Sequence, residues 1–329
     1  GSAPVSGTHY LFVTNQDIRF RGEIPEFPVS WDISGRDVYT DIEASDVFRR
    51  LGQGEAPLQS TLFRGITAQT GSDVPTAYWP LEEGKSAAYA PAVRGGTNMT
   101  HPGTSPFTPP SSSIPNWGSN EDFDCSAALP VLSDAYIQAD VTPYTDTGAS
   151  QVRFLLSVPD SGLTDGTVLM HIEMTGTIHR WDLTYGITDG VEALGLYRYD
   201  APVFPGTFNS SDNILFPLKG QPCRVSLDWQ QSGANIIWTL SVTHARPGAG
   251  ALFVRKTLPS RTSGIVSHFE LNPHSAQIGV AIGHITVENT ITSFFAEDDA
   301  LIAQAGEVAT GPAGRIHRLC RENHVPIIS

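Results

Sequence analysis

Between Ala135 and Ser293 the chain alternates apolar and polar residues in short runs, each bounded by Gly, Pro, Asp or Asn. The runs are YIQADV (136–141), QVRFLLSV (151–158), TVLMHIEM (167–174), TIHRWDLT (177–184), EALGLYRY (192–199), CRVSLDWQ (223–230), ANIIWTLSV (234–242), ALFVRK (251–256) and AQIGVAIGHITVE (276–288). In CRVSLDW a period of two puts Cys223, Val225, Leu227 and Trp229 on one side and polar residues on the other. Thr175-Gly176 and Ser232-Gly233 read as hairpin turns. Short strands in succession, with no helix between them, predict an antiparallel sandwich. Trp79, Trp229 and Trp238 fall in strand patterns and are expected in its core.

The flanks read differently. THYLFV, DIRFRGEI and VYTDIEA, within Thr8–Arg50, are β-rich, and a short helix is expected over Val47–Leu51. So few strands cannot close a core alone, so this piece is a fragment of a larger β-domain or is completed by a segment elsewhere. In Pro57–Gly71, Leu58, Leu62 and Ile66 recur every four residues, with Pro57 suited to a first helical position and Gly71 to a stop. That predicts a connecting helix. Ala77–Glu83 is strand-like, and the polar stretch Lys85–Asp124 reads as a surface excursion of the sandwich in preference to an interdomain linker. After Ala296 the pattern turns helical, with Ile316, Leu319 and Cys320 on one face. The expected organisation is an N-terminal part of a hub-like β-domain (1–54), a connecting helix (55–75), a jelly-roll sandwich (76–296) and a helical return to the first domain (297–329).

Composition narrows the function. The 329 residues carry a formal net charge of −14. A surface that tracks phosphates needs a basic face, so nucleic acid is not an expected partner. Anionic membranes are disfavoured likewise, and no apolar run approaches the ~20 residues of a bilayer span. No signal peptide opens the chain, and Gly1-Ser2 reads as a tag remnant. Cys125, Cys223 and Cys320 are far apart and odd in number, which fits neither a disulfide framework nor a structural zinc site. One Cys125–Cys223 bridge is conceivable, and buried free thiols are the expectation.

Four motifs carry a family likeness. AYWPLEEGKSAAYA (77–90) and IGHITVENTIT (282–292) resemble the opening and closing strands of concanavalin A-like, laminin-G-like domains. FRGEIPEFPVSWDISGRDVYTDIEASDVFRRLGQGEAPLQSTLFR (20–64) and AQAGEVATGPAGRIHRLCRENHVPI (303–327) resemble minor tail proteins of siphophages and prophages of high-GC Gram-positive bacteria. The resemblance spans nearly the whole chain and rests on the order of the four. It implies a mainly β protein, a concanavalin A-like jelly roll inserted into a hub-like domain. It also implies a virion structural protein at the tail tip, a homotrimer beside other tail-tip subunits, and such proteins would continue beyond Ser329. Calcium is common in laminin-G-like domains, which makes the loop residues Asp160, Asp165 and Asp212 weak candidates for it; no other cofactor is implied.

Concanavalin-like folds also host glycoside hydrolysis, which needs two carboxylates about 5 Å apart in a retaining enzyme. No E-x-D-x-x-E strand is present, and the adjacent Glu82 and Glu83 are expected to solvate a strand end. No G-x-S-x-G, Walker or dinucleotide motif occurs, so no catalytic residue is assigned. His171-x-Glu173, with His179 and Asp182 on the next strand, offers metal-ligand types, but a polar outer face with pairs such as Glu173 and Arg180 is the ordinary reading. His317, Cys320 and His324 share a helix side and read as packing. Sugar binding needs an aromatic platform with carboxylate or amide groups beside it. The run 197–213 offers Tyr197, Tyr199, Phe204 and Phe208 near Asp200, Asn209, Asp212 and Asn213, and Trp117 lies in a Pro/Ser-rich stretch where it can be exposed. The expected function is a tail-tip protein whose jelly roll contacts cell-envelope glycan. A ligand-free tail decoration, a cell-wall hydrolase and a secreted lectin are the alternatives.

Overall fold

A computed structural model describes residues 59–101, 114–199, 213–246, 248–276 and 278–292, together with four short strands nearer the N-terminus. The chain divides into two compact units, one of Gly1–Leu58 with Val308–Ser329, the other of Gln59–Glu307. In the first, β1 (Gly22–Glu23) pairs with β4 (Ser45–Asp46), and β2 (Val29–Trp31) with β3 (Val38–Thr40). The expected helices over Val47–Leu51 and after Ala296 lie outside the described residues.

The second unit is an antiparallel sandwich of two eight-stranded sheets. Sheet A runs, edge to edge, β15 (Asn213–Leu215), β14 (Val191–Tyr199), β13 (Arg180–Thr188), β12 (Thr167–Met174), β19 (Val266–Leu271), β10 (Ile137–Asp140), β7 (Met99–Thr100) and β6 (Tyr89–Ala90). Sheet B runs β18 (Ala251–Leu258), β17 (Asn235–His244), β16 (Cys223–Ser232), β11 (Ala149–Ser157), β20 (Val280–Glu288), β9 (Leu129–Leu132) and β8 (Asn116–Asn120), with β5 (Ala77–Trp79) also on β20. The expected mainly β sandwich is thus present, and every predicted strand from 136 to 288 has its counterpart.

Alternation builds the core. Trp181, Ile172, Phe269 and Ala139 sit opposite one another in register across four strands of sheet A and point inward. Trp181 meets Trp229 and Trp238 of sheet B at ring-centroid distances of 5.7 and 5.9 Å, and Trp79 meets Phe269 edge-on at 5.9 Å. These large aromatic contacts weld the two sheets together.

Several expectations are corrected. The helix α1 spans Thr61–Ala68, not Pro57–Gly71, because the Ser60 side chain accepts from Phe63 N–H at 3.0 Å and caps it there. Its Leu62 and Ile66 pack against Tyr78, Phe123, Leu155 and Ala281. Thr175-Gly176 is not a two-residue turn: the chain runs on to His179, whose carbonyl accepts from Met174 N–H. The second hairpin turns at Gly233-Ala234, between the paired Ser232 and Asn235, where Gly233 takes a φ of +60°. Cys125 and Cys223 are buried and no disulfide joins them, and Cys320 lies outside the described residues.

Candidate functional site on the outer face of sheet A

The inward row of sheet A forces its neighbours outward. Side chains directly opposite in an antiparallel pair share a face. The register therefore lays two parallel rows of polar groups across the outer surface. One is Tyr197, Asp182, His171, Glu270 and Gln138. The other is Tyr199, Arg180, Glu173, His268 and Asp140. Each crosses β14, β13, β12, β19 and β10, five strands at roughly 4.8 Å spacing, or about 19 Å end to end.

The first row is a buried backing. His171 and Asp182 are each 2 % exposed and Glu270 is 8 % exposed. His171 Nδ1 lies 3.1 Å from Glu270 Oε2 and its Nε2 lies 3.5 Å from Asp182 Oδ1. The His274 ring packs edge-on against His171 at 5.6 Å. Burial alone would raise the Glu270 pKa, but hydrogen bonds from His171 and His268 outweigh it and hold the carboxyl at about 2. Asp182 goes the other way: burial lifts its pKa, and the charges of His171 and Arg180 only partly offset this. Its Oδ1 and the facing His171 Nε2 have no hydrogen-bond partner, since Arg180 Nε stands 3.0 Å from Oδ1 without the alignment of a hydrogen bond.

The second row is the open one. Glu173 is exposed, and the Asp140 side chain is 68 % exposed. His268 Nδ1 lies 2.7 Å from Asp140 Oδ1, and its Nε2 lies 3.9 Å from Glu270 Oε1. Burial lowers the His268 pKa, but these carboxylates dominate and raise it. The Arg180 guanidinium sits 4.2 Å from the centre of the Tyr199 ring, a cation–π contact. Burial and the nearby Asp182 charge push the Tyr199 hydroxyl up to about 12, so it stays protonated. Along this row charges alternate: guanidinium, carboxylate, imidazole, carboxylate.

The sequence-derived site is placed only in part. Tyr197 is half-buried and Tyr199 buried, both on β14 and one to each row, not on a loop. Trp117 is no platform: it is 2 % exposed, packed in the core from β8. Asp200, Phe208, Asn209 and Asp212 lie outside the described residues, as does Phe204. Glu173 and Arg180 are paired as expected, His171 and Asp182 are opposite each other, and His179 falls in the exposed connection before β13. The sequence reading missed His268 and Glu270 because it did not mark VSHFEL (266–271) as a strand. The signal was there: the polar His268 and Glu270 alternate with the apolar Phe269 and Leu271.

Of the candidate calcium ligands, Asp160 and Asp165 lie among the described residues and Asp212 outside them. Asp165 already accepts from Ile187 N–H at 2.7 Å, and Asp160 stands exposed in a turn. No group of three or more His, Cys, Asp or Glu suited to a metal occurs among the described residues.

A second polar cluster lies against β20 and is also unlike its expectation. Glu82 does not solvate a strand end: its Oε1 takes the Ala127 N–H at 2.8 Å and faces His284 Nε2 at 2.9 Å. Ser126 Oγ also reaches His284 Nε2, at 2.8 Å, and Tyr78 hydroxyl meets Nδ1 at 2.8 Å. Serine and carboxylate thus share one ring nitrogen, whereas a nucleophilic triad needs them on opposite nitrogens. The cluster lies where helix α1 packs, and it serves to fix that junction.

Comparisons with known proteins give distant likenesses. No family model matches the chain, and no curated protein does. Among solved structures it is similar to the Emp46p carbohydrate recognition domain in a potassium-bound form, with 12 % identity over 51 % of this chain and 86 % of that one, TM-score 0.35. The VIP36 exoplasmic/lumenal domain, bound to Ca2+ and Man2, shows 7 % identity over 53 % and 81 %, TM-score 0.35. A Trypanosoma rangeli sialidase in complex with sialic acid shows 10 % identity over 86 % and 45 %, TM-score 0.38.

Proposed function

We propose that the sandwich unit is a glycan-binding module working through the open row of sheet A. The observation that carries this reading is the alternating row of Arg180, Glu173, His268 and Asp140, held in place by the buried row beside it. Hydroxyl groups both donate and accept, so they pair with alternating carboxylates and cations better than any single-sign ligand does. Asp182 and Glu270 have pKa values pushed apart, the pattern of an acid/base pair. Their burial keeps a sugar ring away from both, which favours binding over hydrolysis.

We further propose that the chain is a minor tail protein of a siphophage or prophage tail tip, trimeric, and set among other tail-tip subunits on the outside of the virion. The order of the flanking motifs in 20–64 and 303–327 supports this. Saturable binding of the purified chain to envelopes of high-GC Gram-positive bacteria, competed by wall polysaccharide and measured with and without calcium chelation, is the expected result. Failure of the folded chain to bind across a broad strain panel would overturn the glycan reading. It would favour a ligand-free tail decoration, the reading that the burial of Trp117 and Tyr199 supports.

A further inference from the structure

The glycan reading leaves open what shape and charge of saccharide the face takes, and the two rows carry that further. We infer that sheet A binds a neutral, linear glycan lying across the strands, with several consecutive sugars engaged at once. This rests on the glycan-binding reading above.

Three observations support it. The first is direction and length. The open row runs perpendicular to the strands and offers a polar group at each strand spacing from Arg180 to Asp140, about 14 Å, with the buried Tyr199 beyond. One strand spacing is comparable with one pyranose ring, so an extended chain would meet a fresh partner at each sugar. A terminal-sugar pocket would converge its polar groups on one point, and these are spread in a line.

The second is charge. Four carboxylates, Asp140, Glu173, Asp182 and Glu270, stand on this face against the one guanidinium of Arg180 in these rows. His268 adds positive charge, since the carboxylates raise its pKa, but it is already engaged by Asp140 and Glu270, and burial lowers the His274 pKa, so the carboxylates still outnumber the cations. A polymer bearing phosphates or uronates would meet repulsion along the row, whereas neutral hydroxyls would not.

The third separates a site from a merely structural ladder. Asp182 Oδ1 and His171 Nε2, both on side chains more than nine-tenths buried, face each other at 3.5 Å with neither hydrogen-bonded. Asp182 Oδ1 has the Arg180 ion pair at 3.0 Å in place of a hydrogen bond, and His171 Nε2 has neither, so part of the cost of an unmade hydrogen bond is left standing. A water ordered beneath a bound glycan would supply the missing donor without bringing a sugar ring to the pair.

The experiment is a glycan array probed with the full-length chain, carrying neutral linear, neutral branched, phosphorylated and uronate glycans of graded length, followed by calorimetry on the best series. Glu173→Gln and Asp140→Asn, both at exposed positions, are compared with the parent after circular dichroism shows that they fold. The expected result is preference for neutral linear glycans, affinity climbing from one to about four sugars, and each variant weakening the longest ligand about tenfold or more. Equal affinity at every length, or preference for phosphorylated or uronate glycans, would overturn this inference while leaving a glycan-binding module intact. No binding to any glycan would overturn both. Binding that survives both substitutions would move the site off sheet A and overturn the inference as well.

Discussion

Glu270→Gln isolates the charge of the backing row. The substitution keeps the shape of the side chain and removes the carboxylate that sits between His171, at 3.1 Å, and His268, at 3.9 Å. Glu270 falls from an ordinary 4.5 to about 2 in the fold. At 1.36 kcal/mol for each tenfold change, that corresponds to about 3 kcal/mol of stability. The side chain is only 10 % exposed, so solvent screening takes little from this figure. A depressed carboxylate pKa contributes stability that is fully present above the ordinary carboxylate range and is lost as pH falls through about 2. Glu270→Gln should therefore cost about 2–3 kcal/mol at pH 7 and clearly less at pH 3. Urea unfolding at both pH values, followed by tryptophan fluorescence, measures it. Five of the six tryptophans, Trp79, Trp117, Trp181, Trp229 and Trp238, are buried in the sandwich, so most of the signal reports on that unit. A gap of the same size at both pH values would mean that the substitution acts through packing, and no gap would mean that the histidines do not hold the charge.

Two further outcomes follow from other parts of the fold. Glu83 is raised to about 7 by burial and by the charge of Glu82, and its Oε2 is buried without a partner. A raised carboxylate gives stability that is present below the ordinary range and lost as pH rises through about 7. Glu83→Gln should thus stabilise the protein by about 1–2 kcal/mol at pH 8.5, allowing for its partial exposure, and by little at pH 4; equal melting shifts at both pH values would refute this. Gly96→Ala would place a methyl group 2.1 Å from Cζ2 of the buried Trp79, whose indole N–H donates to the Thr97 carbonyl. A cost of about 1–3 kcal/mol and a changed near-ultraviolet dichroism are expected; an unchanged melting temperature would show that the ring moves freely.

Much of this fold was legible because alternation is a local property. TVLMHIEM reads directly as β12, and the outward His171 and Glu173 were visible as a pair on one face. What alternation cannot show is which strands become neighbours. β19 joins β12 to β10 although some 90 residues separate it from the nearer of them, so the union of His268 and Glu270 with His171 had no local trace. A register irregularity compounds this, because the slip between Glu173 and Met174 also interrupts the period in VSHFEL. Trp117 was misplaced for a different reason. Its neighbours Pro115 and Gly118 are loop formers, yet Gly118 takes a φ of +56° and lets the strand turn the indole inward.

The strand order also dictates when these surfaces come into being during synthesis. β19 sits in the middle of sheet A and β20 in the middle of sheet B, yet they are the last two strands of the sandwich to be made. A nascent chain that has emerged only to residue 265 holds each sheet as two unjoined halves, with β5 also unpaired and four edges open, on β12, β10, β11 and β9, that β19 and β20 later cover. Closure must await contacts spanning more than a hundred residues, a topology associated with slow folding and with exposure to wrong partners. The polar row of sheet A is completed in the same late step, since β19 brings His268 and Glu270 with it. A ribosome-bound intermediate therefore lacks the complete polar row, and any binding that depends on that row arrives only with the closing of the sandwich.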